Sequence, residues 1–326
     1  MIHARIVGTG HYLPEKLVTN DDLSKFVDTS DEWIRQRSGI EQRYFASAEQ
    51  AVSDLGTEAA RRALEDSGVA PEDVDYVLCA TLTPDHNMPS SACIIQSNLG
   101  ACNAGASDLN AACSGFVYAL QHADALIRAG VHKTILVIGA EKLSDHLYWE
   151  KRDTAVLFGD GAGAAVLRAS EGEHGILSTY TRSDGSAADI LSVPSGGTRQ
   201  PITPENVNTI ERGVSMNGRE LYKRAIGAFG DAIETALEQT GLTVDDIDLF
   251  IPHQANKRII DSAAKRVGLT DEKIYLNVMK VANTSAASIP IAIDEARKEG
   301  RIKDGDTVLL AAFGGGLTWA SAIIRW

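Results

Sequence analysis

The chain has 326 residues and a mass of 34.8 kDa, with 44% hydrophobic against 23% charged residues. That permits one large or two ordinary domains with a sizeable core, and it excludes a disulfide-held miniprotein and a disordered chain. The formal charge of −13 at pH 7 repels phosphate backbones and anionic headgroups, which argues against nucleic acid and membrane surfaces as partners.

The N-terminus reaches Gly8 and Gly10 before an apolar signal region could form, and no apolar run approaches the about 18 residues of a membrane span, so a cytoplasmic location is expected. Ala63-Leu64-Glu65-Asp66-Ser67-Gly68 reads as the end of a helix with a glycine stop, and Asp73-Val74-Asp75-Tyr76-Val77 as an acidic turn entering a buried strand. Residues 108–112 form a short strand that runs into Cys113, and 116–120 follow at helical spacing. Thr134-Ile135-Leu136-Val137 is a buried strand, and Phe158-Gly159-Asp160-Gly161 a glycine-rich turn into another. Residues 183–211, with Pro194, Gly196, Gly197, Pro201 and Pro204, read as an irregular excursion.

The order then repeats. Ala236-Leu237-Glu238-Gln239-Thr240-Gly241 and Asp246-Ile247-Asp248-Leu249-Phe250 match the first helix end and strand at an offset of 173, and Thr307-Val308-Leu309-Leu310 matches Thr134-Ile135-Leu136-Val137 at the same offset. Phe313-Gly314-Gly315-Gly316 answers Phe158-Gly159-Asp160-Gly161 at a smaller offset, so roughly 18 extra residues sit in the first half around 143–156, a candidate functional loop. The expected architecture is α/β, with two similar halves, 1–174 and 175–326, sharing a continuous interface.

The offset sets Cys113 opposite Ala286. Cys113 is expected at a strand-to-helix turn, where free backbone N–H groups and the helix dipole favour a thiolate; a small core cysteine is the plainer alternative. His253 follows the strand 247–251 directly, at the end of the strand where ligands bind in open α/β sheets. Asn283 precedes the helix start that mirrors the cysteine turn, and a helix N-cap is its alternative role. Gly314, Gly315 and Gly316 would let backbone amides approach a developing oxyanion, or form a tight hairpin. Cys79, Cys93, Cys102 and Cys113 show no C-x-x-C spacing, and the histidines show no i,i+3 or i,i+4 pair, so no metal is expected. Gly159-Asp160-Gly161-Ala162-Gly163 lacks the last glycine of a dinucleotide fingerprint and leads into a strand, which argues against a Rossmann cofactor site.

Ala111-Ala112-Cys113-Ser114-Gly115-Phe116, Pro252-His253-Gln254-Ala255-Asn256, Asn283-Thr284-Ser285-Ala286-Ala287-Ser288 and Phe313-Gly314-Gly315-Gly316 together resemble the β-ketoacyl-acyl-carrier-protein synthase III family. These enzymes initiate type II fatty acid synthesis, and the likeness also takes in Thr29-Ser30-Asp31-Glu32-Trp33-Ile34. The resemblance implies a thiolase-like, duplicated five-layered α/β/α/β/α fold, usually homodimeric. It implies Cys113 as the acceptor of a short acyl group from coenzyme A, a substrate and not a cofactor, with malonyl-acyl carrier protein as second substrate. His253 and Asn283 would bind the malonyl thioester carbonyl, and the amides of Cys113 and Gly315 a second oxyanion.

For coenzyme A the resemblance points to Trp33, Arg37, Arg152, Gly218 and Asn256, and for the acyl pocket to Met88 and Phe158. Trp33 could otherwise be an ordinary half-buried aromatic, and Arg152 a surface charge. Lys257, Arg258, Lys265 and Arg266, opposed only by Asp261, make a docking patch for an acidic carrier protein or a solvated helix face. Ala312 stands where non-decarboxylating thiolases carry a second cysteine, which favours carbanion formation by decarboxylation. Val281-Ala282, Met88 and Arg219 depart from the family pattern, and they bear on the primer more than on the reaction. A condensing enzyme of polyketide or quinolone metabolism, a Cys-His-Asn hydrolase and a silent assembly partner are the competing readings.

Overall fold

The computed structural model describes residues 2–326. In chain order the main elements are β1 (Ile2–Tyr12), α1 (Asp31–Ser38), α2 (Val52–Ser67), β2 (Tyr76–Ala80), α3 (Ser91–Leu99), β3 (Gly105–Leu109), α4 (Gly115–Arg128), β4 (Thr134–Glu141), β5 (Gly161–Glu171) and β6 (Gly175–Ser183). They continue with α5 (Gly218–Thr240), β7 (Leu249–Pro252), α6 (Lys257–Val267), α7 (Ser288–Lys298), β8 (Thr307–Gly314) and β9 (Thr318–Arg325).

One sheet has the strand order β1-β5-β4-β2-β3 and the other β7-β8-β9-β6. The duplication is visible in the pairing: β4 runs parallel to β2 and antiparallel to β5, as β8 runs parallel to β7 and antiparallel to β9. β4 and β8 are buried along their whole length, as strands covered on both faces must be. α2 ends at Gly68 (φ +65°) and α5 at Gly241 (φ +70°), the left-handed caps that the two glycine stops predicted.

Three apolar clusters separate five layers. One lies between α2, α3 and the first sheet, one between the second sheet and α5, α6, and the central one joins both sheets through α4 and α7. This is the expected α/β/α/β/α order. The extra segment of the first half is 16 residues against the roughly 18 expected: residues 142–160 link β4 to β5 where 315–317 link β8 to β9. Among the described residues no helix is long and apolar enough to cross a membrane.

Each repeat sends a tight turn across to the other. Ala112–Ser114 of the first half packs on β8, and Ser285–Ala287 of the second packs on β4. The approach is close: a Cβ on Gly139 would lie 2.3 Å from the Ala286 carbonyl oxygen, and one on Gly314 would lie 2.7 Å from the Cys113 nitrogen. A fourth apolar cluster, including Ile34, Ile40, Leu143, Val156, Phe158 and Ala282, caps this crossing point. Within it Arg43 is fully buried, bonded to Asn20 Oδ1 (2.7 Å) and the Val156 carbonyl (2.9 Å), and burial pushes its pKa down to about 10.

Gly139→Ala should therefore displace the Ser285–Ala287 turn and lower stability by about 1–3 kcal/mol, read from the urea midpoint. An unchanged midpoint would mean that the turn has room to move.

Candidate active site

Cys113 lies in the Ala112–Ser114 turn, at the N-terminus of α4, and is 7% exposed. Burial is the largest influence on it and raises the thiol pKa to about 11, with the nearby Glu141 charge adding to the rise. The Ser285 hydroxyl and the amides of Cys113 and Gly315 face the sulfur and oppose the shift without reversing it. The expected thiolate is thus corrected: dehydration outweighs the helix terminus, and the resting group is a thiol.

His253 follows β7, and its backbone N–H donates to the Ala311 carbonyl of β8 (2.8 Å). The ring is 1% exposed, and burial lowers its pKa to about 3, so the imidazole is neutral at physiological pH. Nδ1 is sealed in the interior and has no hydrogen-bond partner among the described residues. The loop is held by Gln254, whose amide donates to the Pro252 and Tyr275 carbonyls (2.9 and 3.1 Å) and accepts from the Asn277 and Val278 amides (3.0 and 3.1 Å). Sequence reading had noted Gln254 only as part of a motif; no local pattern marks a side chain that makes four buried bonds.

Asn283 is pinned on both sides, its N–H donating to Leu157 O and its carbonyl accepting from Gly159 N–H, both at 3.0 Å. Its Oδ1 accepts from the Ser285 amide (2.9 Å), which leaves the Nδ2 hydrogens free to donate elsewhere. The helix N-cap alternative is not what is seen, because the helical turn begins after Thr284. Ala282, just before it, has φ +60° and ψ −162°, a region that suits glycine. Among the described residues the three non-glycine residues with positive φ, Ala112, Ala282 and Ser285, all flank the site.

Cys113, His253 and Asn283 line one cavity of about 770 Å³ with Trp33, Arg37, Gly218 and Asn256. Arg37, Arg219, Lys223 and Arg258 give it four cations, of which Lys223 had no part in the sequence reading. Arg152 is not in the wall; it stacks on Trp33 at 4.7 Å while Arg37 lies 5.6 Å from the same ring, and it donates to the Asp28 carbonyl. Asn256 caps α6 and spends its Nδ2 on the Arg37 carbonyl (3.0 Å). Cys113, Phe158 and Leu191 also line a second cavity of about 1240 Å³, with Thr83, Lys142, Ser285 and Gly315. The cysteine thus stands on the partition between the two. Met88 lines neither and is 85% exposed in the single chain.

On α6, Lys257 pairs with Asp261, and Arg266 lies against Gly230 of α5, 3.9 Å from Glu234. Lys265 is exposed, and Arg258 reaches the first cavity. The four residues are therefore a graded strip and not a uniform patch.

Two family models match the chain: 3-oxoacyl-[acyl-carrier-protein (ACP)] synthase III over residues 107–185, and the C-terminal part of the same synthase over 237–326. A β-ketoacyl-[acyl-carrier-protein] synthase III of Caldanaerobacter subterraneus subsp. tengcongensis is 53% identical, covering 100% of this chain and 98% of its own. The same-named protein of Natranaerobius thermophilus is 49% identical over 100% of both. The crystal structure of 3-oxoacyl-[acyl-carrier-protein] synthase III from Aquifex aeolicus VF5 superposes with a TM-score of 0.92 at 45% identity, covering 99% of this chain and 100% of that one.

Ala282→Gly should relieve backbone strain beside Asn283 and raise stability by about 1 kcal/mol, the strain relieved less the glycine entropy. Thermal unfolding measures it, and a lower melting temperature would mean the alanine is unstrained there.

Proposed function

The chain belongs to the β-ketoacyl-[acyl-carrier-protein] synthase III family, and from that premise we infer how its own residues carry out the family's decarboxylative condensation. It is a condensing acyltransferase of the initiating step of type II fatty acid synthesis. The observation that carries the assignment of roles is the meeting of Cys113, His253 and Asn283 in the wall of one cation-lined cavity.

Acyl-coenzyme A enters that cavity with its phosphates among Arg37, Arg219, Lys223 and Arg258 and its adenine on Trp33, where it displaces the Arg152 guanidinium. Gly218 and Asn256 flank the pantetheine arm. The Cys113 sulfur attacks the thioester carbonyl, the amides of Cys113 and Gly315 receive the oxyanion, and coenzyme A departs. The acyl chain lies beyond the partition, past Phe158 in the larger cavity.

Malonyl-acyl carrier protein then uses the vacated cavity. His253, as the neutral Nε2–H tautomer, and the Asn283 amide donate to its thioester carbonyl. Loss of carbon dioxide leaves an enolate on the same oxygen, and its carbon attacks the acyl-cysteine. The carrier docks along Lys257, Arg258, Lys265 and Arg266. A homodimer belongs to the same proposal, with the exposed Met88 closing the partner's acyl cavity. The polyketide and quinolone reading is not favoured beside relatives of 53% and 49% identity that bear the synthase III name.

Intact mass after acetyl-coenzyme A should show one acyl group on Cys113, discharged by malonyl-acyl carrier protein; continuous turnover without the malonyl substrate would indicate a hydrolase. His253→Ala or Asn283→Ala should slow malonyl decarboxylation roughly 10²- to 10³-fold while leaving acylation much less affected. Because His253 titrates at about 3, decarboxylation by a Cys113→Ala variant should show no inflection near pH 6.5. Such an inflection would place a titrating imidazole in the step. Arg258→Glu should raise the KM for malonyl-acyl carrier protein several-fold, and an unchanged KM would remove α6 from the docking surface.

A further inference from the structure

His253 and Asn283 come from separate segments of the second repeat, and in the roles given above both must reach one thioester oxygen. β7 runs into His253, while a second stretch, residues 274–278, leads through a single helical turn (Val278–Val281) to Asn283. The two segments begin side by side: Phe250 bridges Ile274, and the Tyr275 N–H donates to the Phe250 carbonyl (2.9 Å). Beyond that point a side chain takes over from the main chain.

Gln254 is wholly buried. Its Nε2 donates to the Pro252 carbonyl (2.9 Å) on its own segment and to the Tyr275 carbonyl (3.1 Å) on the other, while its Oε1 accepts from the Asn277 and Val278 amides (3.0 and 3.1 Å). A carboxamide has two donor hydrogens and two acceptor lone pairs, so all of its capacity is used, and the four bonds fix which end is nitrogen. The side chain thus serves as a peptide group inserted between the two segments.

From each side of that amide, bonds lead on toward a side chain of the cavity. Pro252 precedes His253, whose own N–H is held by the Ala311 carbonyl (2.8 Å). On the other side the Asn277 carbonyl accepts from the Lys280 and Val281 amides (2.8 and 3.1 Å), and the Ala282 N–H donates to the Val278 carbonyl (2.9 Å), which brings the chain to Asn283. Asn277 Nδ2 donates to Glu295 of α7 (2.8 Å) and ties the same stretch to the central layer.

We propose that Gln254 is a positioning residue that sets His253 and Asn283 at the separation in which both donate to one thioester oxygen. This rests on those two side chains acting together on malonyl-acyl carrier protein. A substrate oxygen can follow one displaced donor, but it cannot follow two that have moved apart, so the loss falls on decarboxylation. Acylation of Cys113 relies on the amides of Cys113 and Gly315, and none of the four bonds of Gln254 reaches them.

The test measures both half-reactions in Gln254→Glu, which sets an oxygen against two carbonyls, and in Gln254→Asn, which keeps the amide and loses one methylene of reach. In each, kcat for malonyl-acyl carrier protein decarboxylation at pH 8 should fall about 10²-fold, with KM and single-turnover acylation by acetyl-coenzyme A within about 3-fold of the wild type. In a His253→Ala background, where no pair is left to align, Gln254→Glu should cost less than about 3-fold more. Equal losses in both half-reactions, or failure of both variants to fold, would make Gln254 a purely structural residue and overturn the proposal. So would wild-type decarboxylation in a folded variant, or a loss undiminished in the His253→Ala background. Wild-type decarboxylation in His253→Ala alone would overturn the roles given to the pair, and this proposal with them.

Discussion

The site depends on the exchange of turns between the two repeats. Cys113 meets Gly314, and Ala286 meets Gly139, at separations that only a glycine on the strand allows. Neither repeat could build the site alone, because the first supplies the sulfur while the second supplies the imidazole, the carboxamide and the Gly315 amide. The central layer of α4 and α7 keeps the crossing rigid, being packed between both sheets in one continuous core. Three residues held at positive φ around the crossing are the local cost of that geometry, sustained by the burial around them.

Much of this was legible in the chain, for a physical reason. A duplicated unit repeats its helix stops, acidic turns and buried strands at fixed spacing, so Gly68 and Gly241 or 134–137 and 307–310 reveal one another without any alignment. Cys113, His253 and Asn283 stood out because each lies where an element begins or ends. What was illegible is whatever arises between distant segments. The ionisation of Cys113 is set by burial from both repeats, and local reasoning from a helix N-terminus gave the wrong sign. Gln254 holds the His253 loop through bonds to residues 21 to 24 positions away, which no periodicity records. Arg266 looked like part of a free basic face but lies on Gly230.

The pseudo-symmetry is as informative where it fails. In the repeat Cys113 has Ala286 as its counterpart, Glu141 has Gly314, and the long connection 142–160 has the three residues 315–317. Each substitution gives one repeat a chemical group and the other a space. The longer connection carries Arg152 to the Trp33 ring and Phe158 to the partition between the cavities, so a single insertion shapes both places.

Burial also explains why the donors are neutral. Decarboxylation converts a malonate carboxylate into an enolate, so the total charge on the substrate is unchanged while its location moves by a few bonds. A protonated histidine would hold the carboxylate of the ground state as firmly as the enolate, and uniform binding accelerates nothing. In the proposed mechanism, a dry imidazole with a pKa of about 3, beside a carboxamide whose oxygen is already committed to Ser285, would offer only N–H dipoles to the thioester oxygen. Those dipoles favour the state in which the charge has reached that oxygen. The same proposal puts the permanent charge of the phosphates among Arg37, Arg219, Lys223 and Arg258, which line the cavity, and leaves its inner end to the neutral His253 and Asn283.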